Sequence, residues 1–312
     1  MTISSTRAER PGHFVSRQLP VEADPGRPCP FCPGNEEATP PSLEEYSTEG
    51  SWLVRVVPNK YPAFSGGEPM RVTNLGPVFT QANASGIHEV LVLSPDHKGS
   101  WADLDDKQTG LVMAAIRDRM EDHARQSGTR YTQAIVNAGR EAGASIEHPH
   151  GQLLGIPFVP GEIADEQRGF DRFDGSCLLC TVADAELGVD HRVVYSDERV
   201  VLVCPYWSAS PYEMLVIPRG HHEHLTAASP KDLVAVGKSI RDGLLRLREV
   251  VGDVAYNLVF HTAPHNHPGA FHWHVHLSPR LTSVAGFEQG TGVMINIVAP
   301  ETAAEQLRSV DV

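Results

Sequence analysis

The stretch Asn137 to Gln152, NAGREAGASIEHPHGQ, ends in two imidazoles set two positions apart, His148 and His150, with Gln152 following at the same spacing. On a strand alternate side chains share a face, so these three present one surface while Pro149 and Gly151 turn to the other. A neutral imidazole at His150 is a nucleophile for an activated phosphorus and can carry the transferred group as a phosphoramidate. That role asks its second ring nitrogen to donate to a backbone carbonyl, which fixes the tautomer. Gln152 can donate to a non-bridging phosphate oxygen without titrating, and Asn137 and Ser145 are placed to stabilise charge on the group in flight. Between them the Gly139, Gly143 and Ala144 region reads as a tight loop whose backbone amides could face an anion. Pro149 lacks an amide hydrogen and Gly151 a side chain, which predicts an edge or ligand-facing strand and not a mid-sheet one.

A second chemistry lies in the thiols. Four of the five cysteines form two Cys-x-x-Cys pairs, Cys29/Cys32 and Cys177/Cys180. Each pair is followed downstream by a histidine after a strand, His97 or His221, and then by the first histidine of an alternating pair, His148 or His272. The interval between those two histidines is 51 residues in both copies. Two thiolates and two neutral imidazoles are the donor set of tetrahedral Zn²⁺. Site one is therefore read as Cys29, Cys32, His97 and His148, and site two as Cys177, Cys180, His221 and His272. With all four ligands from protein, neither ion keeps an open position, so both are structural. A buried reduced pair or a redox dithiol is the alternative for two thiols at this spacing, though no other redox feature accompanies them. Cys204, on an apolar run, reads as a packed core thiol.

The elements that must hold these residues occur twice, which marks a duplicated unit. In the first copy, strands are expected at Trp52 to Val57, Glu89 to Leu93 and Tyr131 to Val136, with an amphipathic helix from Trp101 to Gln126. In the second, strands are expected at Val200 to Val203, Met214 to Ile217 and Tyr256 to Phe260. Its helix runs from Ser229 to Val251, with Ser229 as N-cap, Pro230 at the first position and Leu233, Val236, Ile240, Leu244 and Leu247 on one stripe. The expected class is α+β, two repeats of antiparallel strands with packed helices, divided as 1–160 and 161–312.

A formal net charge of -13 argues against extended binding to nucleic-acid backbones, which rests on Lys and Arg neutralising phosphates. There is no apolar run long enough to span a membrane and no secretory leader, so a cytoplasmic protein is expected. The first residues, to Pro28, are polar and proline-rich, and by composition read as an arm.

The chain resembles the galactose-1-phosphate uridylyltransferase family of the histidine-triad superfamily over nearly its full length. The resemblance is carried by RAERP at Arg7 to Pro11, CPFC, SPDH, the NxGxxxGxS loop leading into HPHGQ, and PYW at Pro205 to Trp207. FHWHVHLSPRL and GFEQGTG match the members with a second zinc site. The resemblance implies that His150 is the nucleotidylylated nucleophile, that Asn137, Ser145 and Gln152 contact phosphate and Asn59 the nucleoside. It also implies that Arg7 and Arg10 bind phosphate groups, often across a homodimer. Some members bind a second metal, zinc or iron, through a glutamate and three histidines, which map here to Glu166, His261, His274 and His276. This second set stands as the alternative to the second thiolate site.

Family chemistry is ping-pong: an NDP-sugar gives its nucleotidyl group to histidine, and a sugar 1-phosphate or inorganic phosphate takes it back. Glutamine at position 152, where the hydrolytic histidine-triad enzymes carry a third histidine, favours transfer over nucleotide hydrolysis. UDP-glucose with a hexose 1-phosphate is the first choice by family frequency, and ADP-sugar phosphorolysis is the alternative. Where one branch has a tyrosine and a glutamate that read hexose hydroxyls, this chain has Thr291 and Gly292. Glu288 and Gln289 are candidate sugar contacts, with a capped loop as the competing reading. The second repeat, with His274 and His276 in the places of His150 and Gln152, lacks the phosphate loop and is expected to be non-catalytic.

Overall fold

Apolar residues at alternate positions build strands, and here the strands of both repeats join one sheet. The computed structural model describes residues 2–3, 28–66, 69–266 and 269–312. Arg7 and Arg10 lie outside the described residues. In chain order the strands are β1 (Thr2–Ile3), β2 (Glu44–Thr48), β3 (Ser51–Pro58), β4 (Val72–Asn74), β5 (Thr80–Ala82), β6 (Ile87–Val92), β7 (Tyr131–Ala138) and β8 (His150–Ile156). They continue with β9 (Val193–Ser196), β10 (Val200–Val203), β11 (Met214–Pro218), β12 (Tyr256–His261), β13 (His274–Pro279) and β14 (Ile295–Asn296). The helices are α1 (Asp106–Arg125), α2 (Gly161–Arg172), α3 (Leu178–Val189), α4 (Pro230–Val251), α5 (Gly286–Thr291) and α6 (Pro300–Arg308). The class is α+β.

The main sheet has ten strands in the order β2-β3-β6-β8-β7-β12-β13-β11-β10-β9, every neighbouring pair antiparallel. Its two halves mirror each other about the β7–β12 junction, where Ile135 pairs with Val259. The repeats therefore share one continuous sheet instead of each closing its own. α1 and α4 cover one face together, over a core that includes Val54, Leu91, Met113, Ile116, Leu153, Val216, Ile240 and Phe260. A Cβ at Gly237 of α4 would stand 3.0 Å from the Thr109 carbonyl oxygen, so the bare backbone lets the two helices approach closely. Trp101 extends this contact by donating its indole N–H to the Gly237 carbonyl at 3.0 Å.

Two local expectations are corrected. The helix expected from Trp101 is broken: Trp101–Asp103 is a 3-10 turn, and α1 starts afresh with Asp105 as N-cap, its carboxylate accepting from Gln108 N at 2.7 Å. β8 is not an edge strand, since it lies between β6 and β7. Pro149 precedes its ladder, so the missing N–H costs nothing, and the Pro149 carbonyl still accepts from Leu93 N at 3.0 Å. Gly151 is bare because a Cβ there would come within 2.9 Å of the Ile135 carbonyl oxygen.

The opposite face distinguishes the repeats. In the second half it is covered by α2 and α3, which pack Ile163, Phe170, Leu179 and Ala183 onto Val201, Val203, Leu215 and Ile217. In the first half, the described cover is a small cluster in which Phe31, from between two cysteines, meets Trp52, Val57, Val90 and Val92. Among the described residues no helix is long and apolar enough to cross a membrane.

Candidate active site

The thiols and histidines paired by spacing meet in space. Donor atoms of Cys29, Cys32, His97 and His148 lie within 4.8 Å of one another, and so do those of Cys177, Cys180, His221 and His272. Cys32 Sγ is 3.2 Å from His97 Nδ1 and 3.6 Å from His148 Nδ1; Cys180 Sγ is 3.4 Å from His272 Nδ1 and 3.7 Å from His221 Nδ1. His148 donates its Nε2 hydrogen to the Ser94 carbonyl at 2.8 Å, and His272 does the same to Pro218 at 2.9 Å. Each ring thus presents an unprotonated Nδ1 to the sulfurs, the second-shell arrangement of a metal-ligating histidine. Burial and the neighbouring thiol push Cys32 up to about 11 and Cys180 up to about 12. Two thiolates that close together need a cation between them, and an S₂N₂ donor set fits tetrahedral Zn²⁺.

With His148 fixed, His150 follows from its backbone. Its Nδ1 donates to the His148 carbonyl at 2.8 Å, which leaves Nε2 as the ring's lone-pair nitrogen. Burial lowers its pKa, so the ring is neutral at physiological pH. The Phe31 ring centroid lies 5.4 Å from that of His150, so the Cys29–Cys32 knuckle also forms one wall of the site. His150 lines a cavity of about 120 Å³ with Asn137, Gly139 and Ala144, below the expected phosphate loop. Gly139 and Gly143 hold φ of 84° and 91°, the left-handed region that suits glycine, around a 3-10 turn at Arg140–Ala142. Ala142 N and Ala144 N both bond the Gly139 carbonyl and Gly143 N bonds that of Arg140, so only part of the loop's amides remain for a ligand. Ser145 at the end of the loop is exposed.

Gln152 is held by a residue that motif spacing did not single out and that also lies beside Asn59. His88 Nε2 is 2.8 Å from Gln152 Oε1 and 3.2 Å from Asn59 Nδ2, and His88 Nδ1 accepts from Ala63 N at 3.0 Å. The signal was a polar residue alternating with Val90 and Val92 on an apolar strand. Asn59 and His88 also border a cavity of about 420 Å³. Glu288 and Gln289 do not join this group among the described hydrogen bonds. Glu288 accepts from Ala285 N at 3.1 Å and caps its own helix, and Gln289 N bonds the Ala285 carbonyl.

The second repeat reproduces the backbone geometry but not the opening. His274 Nδ1 donates to the His272 carbonyl at 2.8 Å, as in the first copy. Its Nε2, however, meets Glu166 Oε1 at 3.0 Å and His276 Nε2 at 3.1 Å, while His261 Nδ1 donates to Glu166 Oε2 at 2.8 Å. Burial alone would raise the Glu166 carboxyl, but the nearby imidazoles of His261 and His274 hold it well below the usual carboxylate range. The carboxylate set and the second thiolate set, expected as alternatives, are both assembled at once. His261, His274 and His276 bring their donor atoms within 4.8 Å of one another.

A family model for the N-terminal domain of galactose-1-phosphate uridyl transferase matches residues 2–160, and one for its C-terminal domain matches 163–311. The chain belongs to the galactose-1-phosphate uridyl transferase family. Among relatives, an ADP-glucose phosphorylase from Arabidopsis thaliana is 32% identical over 98% of this chain and 89% of its own. A galactose-1-phosphate uridylyltransferase from Thermotoga maritima is 30% identical over 91% of this chain and 90% of its own. Among solved structures, an Arabidopsis thaliana ADP-glucose phosphorylase with bound ADP-glucose superposes with a TM-score of 0.83 at 28% identity. It covers 99% of this chain and 95% of that one. A GalT-like protein from the same plant gives 0.81 at 30% identity, over 96% and 94%. The duplicated sheet and its two Cys₂His₂ clusters are thus set within this uridyl transferase family.

Proposed function

We propose that the chain is a nucleotidyltransferase that takes the nucleotidyl group of an NDP-sugar onto His150 and passes it to a phosphate-bearing acceptor. The observation that carries this reading is the His150 ring: neutral, tied through Nδ1 to the His148 carbonyl, its Nε2 left as the lone-pair nitrogen beside a glycine-rich loop. In the first step Nε2 donates its lone pair to the α-phosphorus and the bond from that phosphorus to the bridging oxygen breaks. The sugar leaves as its 1-phosphate. The positive charge that arises on the ring is stabilised by the Nδ1–H bond to the His148 carbonyl. In the second step a phosphate oxygen of the acceptor attacks the same phosphorus and the N–P bond breaks, restoring the neutral ring. Asn137, Ser145 and Gln152 donate to the phosphoryl oxygens through both steps, and Asn59 meets the nucleoside. Donors of this kind are each worth roughly 10²–10³ in rate.

Zinc held by Cys29, Cys32, His97 and His148 would clamp the strand that carries His150. With four protein donors around it, such an ion would have no position left for substrate. Glu166, His261, His274 and His276 would hold a further ion, zinc or iron, in place of a second nucleophile. Arg7 and Arg10 are assigned to phosphate binding, in a homodimer, on the RAERP motif.

For the donor and acceptor we favour ADP-glucose and inorganic phosphate. The support is the ADP-glucose phosphorylase relative at 32% identity and the Thr291-Gly292 pair where uridylyltransferases carry residues that read the hexose. UDP-glucose with a hexose 1-phosphate is the second reading, supported by the Thermotoga maritima relative. The test is to mix protein with ADP-glucose or UDP-glucose labelled at the α-phosphorus and denature in alkali, where a phosphoramidate survives. Acid-labile label on the protein, lost in His150→Gly, is expected; label-free wild type that still turns over substrate would overturn the covalent route.

A further inference from the structure

We infer that Asn257, in the non-catalytic repeat, is the positioning residue that aims the Asn137 amide at the transferred phosphoryl group, with Arg280 setting its orientation. This rests on the reading above that Asn137 contacts that group.

Asn257 lies on β12 and is the cross-strand partner of Asn137 on β7. Its side chain is 6% exposed and fully engaged. Nδ2 donates to Asn137 Oδ1 at 2.7 Å and to the Ala142 carbonyl at 2.9 Å, while Oδ1 accepts from Arg280 Nε at 2.5 Å. Two of these partners remove any ambiguity about which end of the amide is which. A carbonyl oxygen can only accept and a guanidinium nitrogen can only donate, so the nitrogen of Asn257 faces Ala142 and its oxygen faces Arg280. The second Nδ2 hydrogen then has to meet an acceptor on Asn137, which turns Asn137 Oδ1 toward Asn257 and leaves its NH₂ for the site. That NH₂ lies under the loop: Asn137 Nδ2 is 3.9 Å from where a Cβ on Gly143 would stand.

One amide thus does two things from across the repeat junction. It selects the donor end of Asn137, the end a phosphoryl oxygen needs, and through the Ala142 carbonyl it ties the 3-10 turn of the loop to the sheet. Were Asn137 reversed, its carbonyl oxygen would oppose the negative charge of the phosphoryl group. The duplication explains how this arises. The residue that repeats Asn137 is His261, turned toward Glu166, so Asn257 does not copy the catalytic asparagine but acts on it from the neighbouring strand. On this account the second repeat serves the reaction through β12.

The test measures the single-turnover rate of nucleotidyl loading onto His150 with α-labelled ADP-glucose and UDP-glucose. Asn257→Asp keeps the acceptor for Arg280 but removes both donors, so Asn137 is free to reverse. The expected loss is about 10²-fold, comparable to Asn137→Ala. Arg280→Ala trims an exposed side chain and is expected to slow loading about tenfold, with the wild-type melting temperature; it decides the matter if Asn257→Asp does not fold. Because Arg280 acts by setting the amide that aims Asn137, Arg280→Ala should not slow the Asn137→Ala enzyme further, while Asn257→Asp should slow it only by what the lost Ala142 bond contributes. Losses that multiply in the double variants, or a wild-type rate in Arg280→Ala and Asn257→Asp, would overturn the inference while leaving His150 as nucleophile. Absence of label on the wild-type protein would instead remove the reading on which it rests.

Discussion

His88 Nε2 stands 2.8 Å from Gln152 Oε1 while its Nδ1 takes the amide hydrogen of Ala63, so the ring carries its proton on Nε2 and donates to Gln152. That bond holds the carbonyl end of Gln152 and leaves its NH₂ for the phosphoryl oxygen we propose it contacts. Replacing His88 by Leu should lower kcat/KM about 10–100-fold, with the loss mostly in kcat. His88→Gln, which can still donate, should recover part of it. Steady-state kinetics with both donors checks this, and unchanged kcat in His88→Leu would refute it.

The two thiolate clusters predict separate metal stoichiometries. Cys29→Ser and Cys177→Ser should each lose one ion per chain by elemental analysis. Only Cys29→Ser should also slow nucleotidyl loading, because only that cluster holds His148 beside His150. Equal slowing in both variants would mean the metals act on stability alone.

Glu166→Ala should release the ion assigned to the carboxylate cluster and leave labelling of His150 within about twofold, since the imidazoles it meets, His261 and His274, belong to the second repeat. His274→Gly should behave alike. A loss of labelling as large as that of His150→Gly would move the nucleophile to the second repeat.

Gly151 admits no side chain. An alanine Cβ would stand 2.9 Å from the Ile135 carbonyl oxygen and 3.2 Å from Val136 Cγ2. Gly151→Ala should therefore cost about 1–3 kcal/mol in urea unfolding and displace His150 next to it, lowering activity as well. Wild-type stability in this variant would show that β7 and β8 can part without strain.

A buried histidine, His265, and a half-buried one, His224, make stability fall in acid. Burial, then the charge of His123, lowers His265 to about 4; burial, then His265, lowers His224 to about 3. Their rings lie 5.1 Å apart, and His265 Nε2 is 2.8 Å from Thr132 Oγ1. An unfolded histidine takes its proton near pH 6.5, so between about 6.5 and 4 the unfolded state binds more protons than the folded one. The stability they contribute is complete above about pH 6.5 and drains away as pH falls toward about 4, on the order of 3 kcal/mol for His265. Urea melts at pH 7.5 and 5.0 should converge in His265→Gln relative to wild type. An unchanged difference would assign the acid sensitivity elsewhere.

What could be read along the chain was local and periodic. The two-residue spacing of His148, His150 and Gln152, the Cys-x-x-Cys knuckles, the helix cap at Ser229 and the repeated 51-residue interval all follow from rules linking near neighbours. They named both thiolate clusters, because a strand's alternation and a knuckle's turn determine which donors can converge. Periodicity says which face a side chain occupies and not which strand lies beside it. Tertiary pairing alone decided that β8 is interior, that Asn257 meets Asn137 and that His88 meets Gln152. Among the described residues, tertiary structure also placed α2 and α3 over the second repeat's open face, while the first repeat's carries the small cluster around Phe31. Which strand lies beside which depends on how sheets join and helices cover them, and no local spacing encodes that.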